Sequence, residues 1–432
     1  MNQVFHASRF FGAMTIAAAI DAGAFGTADR RVLLVTNNAD IPEVAQSLDE
    51  TPGFAALRDR FDEIRSWNEI IAPLHPSEWK ARAVEAPLFA RLLESHLGVD
   101  SVDELVLESV IVSPARTLPG LFKDCRLTVY SDGLMAHSPT RDPLPAEISA
   151  RIARLVHLDL VPGLTPLLLT EHGVPSQALP VEAFRQVVAQ VAAAEPDELQ
   201  GDAVVLGQYL AALGIVTPQE EAELHASMLR ALVARGHERI VFKPHPAAGR
   251  RQSMQLKRIA ADVGAHLVLA GEHTPAEVLF ARVRPALVVS CFSTALMTAR
   301  KFFGLPVAST GTDLLLERLK PFENSNRIPV TIVDASVPRL AADGSLSEPP
   351  PVDLGGLVGA VAYCMQSDRH PELRETARAY VEANGHARYF KKRRLEVLDL
   401  LPEPEPVPER EPEPEPAAAP APASRLRRLI GR

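Results

Sequence analysis

The chain has 432 residues, 47% hydrophobic and 23% charged, the balance of a globular protein of two or three domains that buries roughly three-quarters of its unfolded surface. A formal charge of −9, from 45 Lys and Arg against 54 Asp and Glu, excludes a generally basic, nucleic-acid-coating protein, though not a local basic patch around an anion. Only 5% of residues are aromatic, which argues against a base-stacking platform.

Residues 2–7 read as a first strand, with Ser8 capping a helix that ends near Gly23. The apolar run 10–20 stops at Asp21, well short of the ~20 residues a membrane span needs, and it lacks the flanks of a signal peptide. The expected location is therefore the cytoplasm. Residues 31–36 form a buried, β-branched strand, and 108–112 and 126–130 read as further strands of the first half. Residues 138–200 read as turns and short helices, with helical periodicity over 181–194 and a break at Glu195-Pro196-Asp197. Cys125, Cys291 and Cys364 have neither zinc-like spacing nor the density of a disulfide scaffold.

The second half alternates more regularly. Strands are predicted at 203–206, 239–243, 266–269, 286–289 and 306–309. Thr217-Pro218-Gln219-Glu220 and Thr274-Pro275-Ala276-Glu277 read as capping boxes, and a helix is predicted over 293–303, ending at Gly304. Residues 335–356, with a Pro triplet, read as a loop, and helical patterns return over 357–400. This alternation predicts an α/β fold of two facing Rossmann-like domains with parallel sheets. The boundaries fall at 1–196, 197–365, a helical segment 366–401, and a disordered tail 402–432. In that tail, 402–416 alternates Pro with Glu and cannot build a core. Its end carries Arg425, Arg427, Arg428 and Arg432 among Leu426, Leu429 and Ile430, a pattern suited to weak peripheral contact with an anionic membrane surface or a partner.

Three constellations carry chemistry. Lys243-Pro244-His245-Pro246 directly follows a strand, where open α/β sheets place their ligands. The prolines stiffen the backbone, and His with Lys suits a phosphate. His75-Pro76 is the same dipeptide in an ordinary loop. Next, Ser290-Cys291-Phe292-Ser293-Thr294 follows a strand and opens a helix, where free amides and hydroxyls suit a phosphate or a serine simply caps the helix. Third, Ser131-Asp132-Gly133 ends a strand of the first half; either Asp132 is placed there as a general base and Gly133 lets a substrate approach, or Asp-Gly is an ordinary turn dipeptide. Gly207 and Gln208 follow the first strand of the second half, and His137 and Arg141 lie just past Asp132 as candidate acceptor contacts. No dinucleotide fingerprint, P-loop or metal-ligand spacing occurs, so neither metal nor other cofactor is expected.

Asp-Gly after a first-half strand, Lys-Pro-His-Pro in the second half, and the Ser/Thr cluster soon after resemble the three motifs of bacterial sialyltransferases. The layout over residues 1–400 most resembles the bacterial alpha-2,8-polysialyltransferase family. The resemblance implies a GT-B arrangement with the active site between the domains. It implies metal-independent, inverting transfer of sialic acid from a CMP-activated donor to an acceptor glycan, as in capsule polysaccharide. It casts Asp132 as the base and His245 as the contact to the departing phosphate. Ser293 and Thr294 become phosphate ligands, and Gly207 and Gln208 lie beside the nucleotide. The family often carries two acids before the Gly; here the first position is Ser131. A CDP-glycerol or CDP-polyol phosphotransferase of wall or capsule synthesis, and a non-catalytic glycan-assembly protein, are the alternatives.

Overall fold

The computed structural model describes residues 1–194, 199–245, 250–385 and 388–401. Pro246, the 196/197 boundary and the Pro/Glu tail lie outside the described residues. The first sheet comprises β1 (Asn2–Ala7), β2 (Arg30–Val35), β3 (Glu63–Ser66), β4 (Glu104–Leu107), β5 (Arg126–Ser131), β6 (Ile152–Leu158) and β7 (Ser176–Leu179). Its order is β3-β2-β1-β4-β5-β6-β7, with every pairing parallel. The second comprises β8 (Ala203–Leu206), β9 (Arg239–Lys243), β10 (His266–Leu269), β11 (Leu287–Ser290), β12 (Val307–Ser309), β13 (Arg339–Leu340) and β14 (Leu346–Ser347). Its order, β10-β9-β8-β11-β12-β13-β14, is parallel except for the closing β13–β14 hairpin. Both orders reverse direction beside the first strand of their domain, the switch point where a doubly wound sheet opens a crevice.

The central strands are continuous apolar runs because helices cover both of their faces. Three elements differ from the expectation. The strand expected at 108–112 is β4, four residues earlier, because the apolar run is Leu105–Leu107 and Glu108 already lies past the strand end. Charged Glu104 is tolerated at its start because Gln3, Thr128, Arg126 and Arg154 bond or pair with it. The stretch 138–200 holds two strands, β6 and β7, which its polar and turn-rich flanks conceal. The expected loop at 335–356 contains the β13–β14 hairpin.

The two domains are stitched together by the helix Val181–Ala194. Its Phe184 is fully buried, with ring centroids 5.4 Å from Phe11 of the first domain and 5.5 Å from Phe302 of the second. The chain returns to the first domain after the helix Leu354–Met365. There Arg369 donates to the Thr140 carbonyl at 2.8 Å and Gln366 to that of Arg141 at 3.3 Å. Buried Asp334 anchors the last helices, accepting hydrogen bonds from Thr312, Arg339, Arg388 and Tyr389. Two tandem Rossmann-like domains with a C-terminal segment crossing back constitute the GT-B arrangement. Among the described residues no helix is long and apolar enough to cross a membrane.

Candidate active site

Parallel strands bring their carboxyl ends to one edge, and each domain turns that edge toward the other. On the first domain, β5 ends at Ser131, and Asp132 follows with 6% exposure. Both of its carboxylate oxygens accept from Arg9 Nη2, at 3.0 and 3.1 Å. Arg9 sits between β1 and the helix Phe10–Asp21. It occupies the cap position that the sequence assigns to Ser8, and no side chain caps that helix. The Ser8 hydroxyl donates instead to Glu108 at 2.6 Å, because β4 ends beside β1 and brings that carboxylate within reach. Gly12 lets the helix approach: a Cβ there would lie 2.8 Å from the Tyr130 hydroxyl and 3.6 Å from Asp132 Oδ2. Tyr130 in turn donates to the His6 carbonyl. Asp132 above all, with Glu108 and Tyr130 behind it, holds the Arg9 guanidinium firmly charged.

On the second domain, the Lys243 ammonium donates to the carbonyls of Pro244 (2.6 Å) and Glu272 (3.0 Å). Burial lowers its pKa to about 8, opposed by Glu277 and Glu272. It thus ties two loops together and leaves a positive charge beneath His245. That imidazole stacks on Tyr209, centroids 4.1 Å apart. Burial, then Lys243 and Arg9, push its pKa to about 4, so at neutral pH it is an uncharged ring that offers a hydrogen bond rather than a cation. His75 binds the Ser77 hydroxyl and the Ala39 carbonyl, as a loop residue does.

The Ser/Thr cluster divides by role. Ser290 is fully buried and donates to the Leu206 carbonyl, fastening β11 to β8. Ser293 caps the helix Thr294–Phe303 through the Ala295 amide. Thr294, the first residue of that helix, crosses to the other domain: its hydroxyl oxygen accepts the Leu134 amide at 3.3 Å. Its own O–H has no acceptor among the described residues. Gly133 accommodates this contact, since a Cβ there would lie 3.2 Å from Thr294 Oγ1. What approaches Gly133 is therefore the other domain's helix terminus. Gly207 is needed where its backbone passes Phe242, and Gln208 accepts the Phe292 amide and shapes the turn before the helix.

The remaining acceptor candidates are not brought to Asp132 by any hydrogen bond or ion pair. His137 is buried, faces the Thr165 carbonyl at 3.5 Å, and is lowered by burial to about 4. Arg141 is exposed, and its carbonyl serves the returning C-terminal segment.

Sequence reasoning missed Arg9, Glu108 and Glu277. The expected Thr274–Glu277 capping box does not form: Pro275 is the N-cap, with no side-chain cap, and the Glu277 carboxyl is buried and bonded by Thr298 at 2.6 Å. Burial raises it to about 7, with Asp132 adding to the shift and Thr298 and Lys243 opposing it. It is thus a second acid beneath the cleft.

No curated protein is significantly similar to the chain in sequence. Similar solved structures include the GT-B domain of a sialyltransferase from Photobacterium damselae (10% identity, 76% of this chain and 95% of that one, TM-score 0.39). MurG of Acinetobacter baumannii (10%, 92% and 98%, 0.38) and the E. coli heptosyltransferase WaaC with ADP (15%, 73% and 90%, 0.38) are others. The family model described as alpha-2,8-polysialyltransferase matches residues 3–312. That span runs from the first strand past Asp132 and His245 to the helix that opens at Thr294, so the chain belongs to the alpha-2,8-polysialyltransferase family and is a sialyl-transferring glycosyltransferase.

Proposed function

We propose that the enzyme transfers sialic acid, or a related nonulosonic acid, from a CMP-activated donor to an acceptor glycan of the cell surface, inverting the anomeric centre without a metal. The observation that carries this reading is the Leu134–Thr294 contact. It brings the strand end bearing Asp132 against the helix N-terminus suited to phosphate. Asp132 takes the acceptor's hydroxyl proton as the acceptor oxygen bonds to the anomeric carbon. The bond to phosphate breaks, and its electron pair leaves with CMP. The helix amides, the Thr294 hydroxyl and the neutral His245 ring meet the charge that develops there. Lys243 supplies the buried positive charge behind them, in place of a metal ion.

Incubation with CMP-sialic acid and sialylated or neutral glycan acceptors, with EDTA present, tests the proposal. Release of CMP together with a lengthened glycan is expected. Turnover of CDP-glycerol in its place, or no turnover of either, would contradict it.

The Lys243 amine predicts a pH dependence. Its pKa is lowered to about 8, so the cation is present below that value and lost as pH rises through it. CMP affinity should fall above about pH 8, and this fall should vanish in Lys243→Met. A wild-type affinity that stays flat to about pH 10, near the ordinary lysine value, removes Lys243 from the phosphate side.

Location at the inner face of the membrane is also part of the proposal. Four arginines near an anionic surface, each contributing about 1 kcal/mol, give salt-sensitive attachment. The full chain should sediment with anionic vesicles at low salt, and a chain ending at Leu401 should not. If both remain in the supernatant, the tail has no membrane role.

A further inference from the structure

Among the described residues, Arg9 is the one cation bonded to the candidate base, and it uses little of its bonding capacity there. A guanidinium has five N–H donors. Arg9 donates only through Nη2, to Asp132, and makes no other hydrogen bond among the described residues. Its side chain is 61% exposed, and Nε and Nη1 make no hydrogen bond among the described residues. The charged and titratable groups around it are Asp132, Glu108 and Tyr130 on its own domain and His245 across the cleft. It is therefore bonded to the base while its charge is felt at His245 across the cleft, and most of its donors are left unused.

Resting on the sialyl-transfer reading, we propose that Arg9 receives the carboxylate that a nonulosonic acid donor carries on its anomeric carbon. The base must come within about 2.6–3.2 Å of the acceptor hydroxyl. That oxygen must come within about 3–3.5 Å of the anomeric carbon. In a keto-acid sugar the carboxylate is attached to that same carbon, so a group bonded to the base lies one layer from it. An aldose donor has only hydrogen at this position and gives the guanidinium nothing to bind. The reaction also changes what Arg9 faces. When Asp132 takes the acceptor proton it becomes neutral, and the guanidinium loses the charge it was paired with. The donor carboxylate then compensates it, an interaction that strengthens as the reaction proceeds. Arginine suits this better than lysine because one planar fork serves two carboxylates at once.

The test compares wild type, Arg9→Lys and Arg9→Met in four readouts: the Kd for CMP, the KM for CMP-sialic acid, kcat, and the KM for neutral and sialylated acceptors. CMP has the phosphate and lacks the carboxylate. Arg9→Met is expected to leave the CMP Kd within about twofold and to raise the donor KM about 10- to 100-fold. Arg9→Lys should recover part of the loss. An unchanged donor KM with reduced kcat would mean that Arg9 only orients Asp132. A rise confined to the KM of sialylated acceptors would assign the guanidinium to the acceptor's carboxylate. Either result overturns the proposal. Melting curves separate both from misfolding, and Arg9→Lys keeps the charge if the Met variant is unstable. Failure of the sialyl-transfer reading itself is seen earlier, in wild type, as CMP-sialic acid left intact with every acceptor.

Discussion

Asp132→Asn is expected to lower transfer about 10²- to 10⁴-fold, the range of a general base, and to leave CMP affinity within about twofold. The substitution keeps the size of the side chain and one acceptor for Arg9 Nη2. It removes the oxygen basicity that takes the acceptor proton. CMP lies on the other domain in this account, so its affinity has no reason to change. Turnover measured with saturating donor, alongside calorimetric CMP binding, separates the two quantities. Near-normal turnover would reduce Asp132 to the structural partner of Arg9.

His245→Ala should lower turnover about 10²-fold or more and weaken CMP binding, whereas His75→Ala should do neither. Loss of one preorganised donor to a developing charge costs about this much. The two histidines share the His-Pro dipeptide but not the context. His245 follows β9 at the cleft and is held by Tyr209 stacking, whereas His75 is spent on Ser77 and Ala39 in a loop. Because His245 is lowered to about 4, the wild-type rate should show no acid limb between about pH 5 and 7 from an ordinary histidine titration. Equal effects at both histidines would remove the strand-end argument.

The fold was legible where local pattern and burial agree. The apolar runs of β8, β9 and β11 and the Thr217 capping box stand in the sequence much as they stand in the structure. β6 and β7 were missed because Arg154 and His157 interrupt the apolar run of β6, β7 is only four residues and opens on Ser176-Gln177, and turn residues crowd both ends. The motifs Asp132, His245 and Thr294 were legible because a strand end followed by Gly, Pro or a helix start is a local signal. Arg9, Glu108 and Glu277 were not, because each satisfied a simpler local reading. Ser8 served as the cap, which left Arg9 idle. Glu108 was read as the opening of a strand, and Glu277 as the last member of a capping box. The roles of Arg9 and Glu108 arise from contacts a hundred or more residues away, Arg9 with Asp132 and Ser8 with Glu108, and that of Glu277 from Thr298 on the next helix. In a parallel sheet, a charged residue just past a strand's carboxyl end lies at the crevice, and with the first strand ending at Ala7 this selects Arg9 from the sequence. Glu108 follows by the same rule only once β4 is seen to end at Leu107. Glu277, in the first turn of a helix, carries no such signal. Among the phosphate candidates, Ser290 and Gln208 show the converse, since residues chosen for polarity near the cleft are committed to a backbone carbonyl and a backbone amide.

The central claim is that the second domain holds the nucleotide, with its phosphate facing Asp132 across the cleft. A crystal structure of the protein with CMP tests it most directly. The account predicts the phosphate at the amides that open the helix Thr294–Phe303, within hydrogen-bond reach of the Thr294 hydroxyl and His245. It predicts the Asp132–Arg9 pair opposite, left clear of the nucleotide. CMP bound at the carboxyl edge of the first domain's sheet, with His245 and Thr294 untouched, would contradict it.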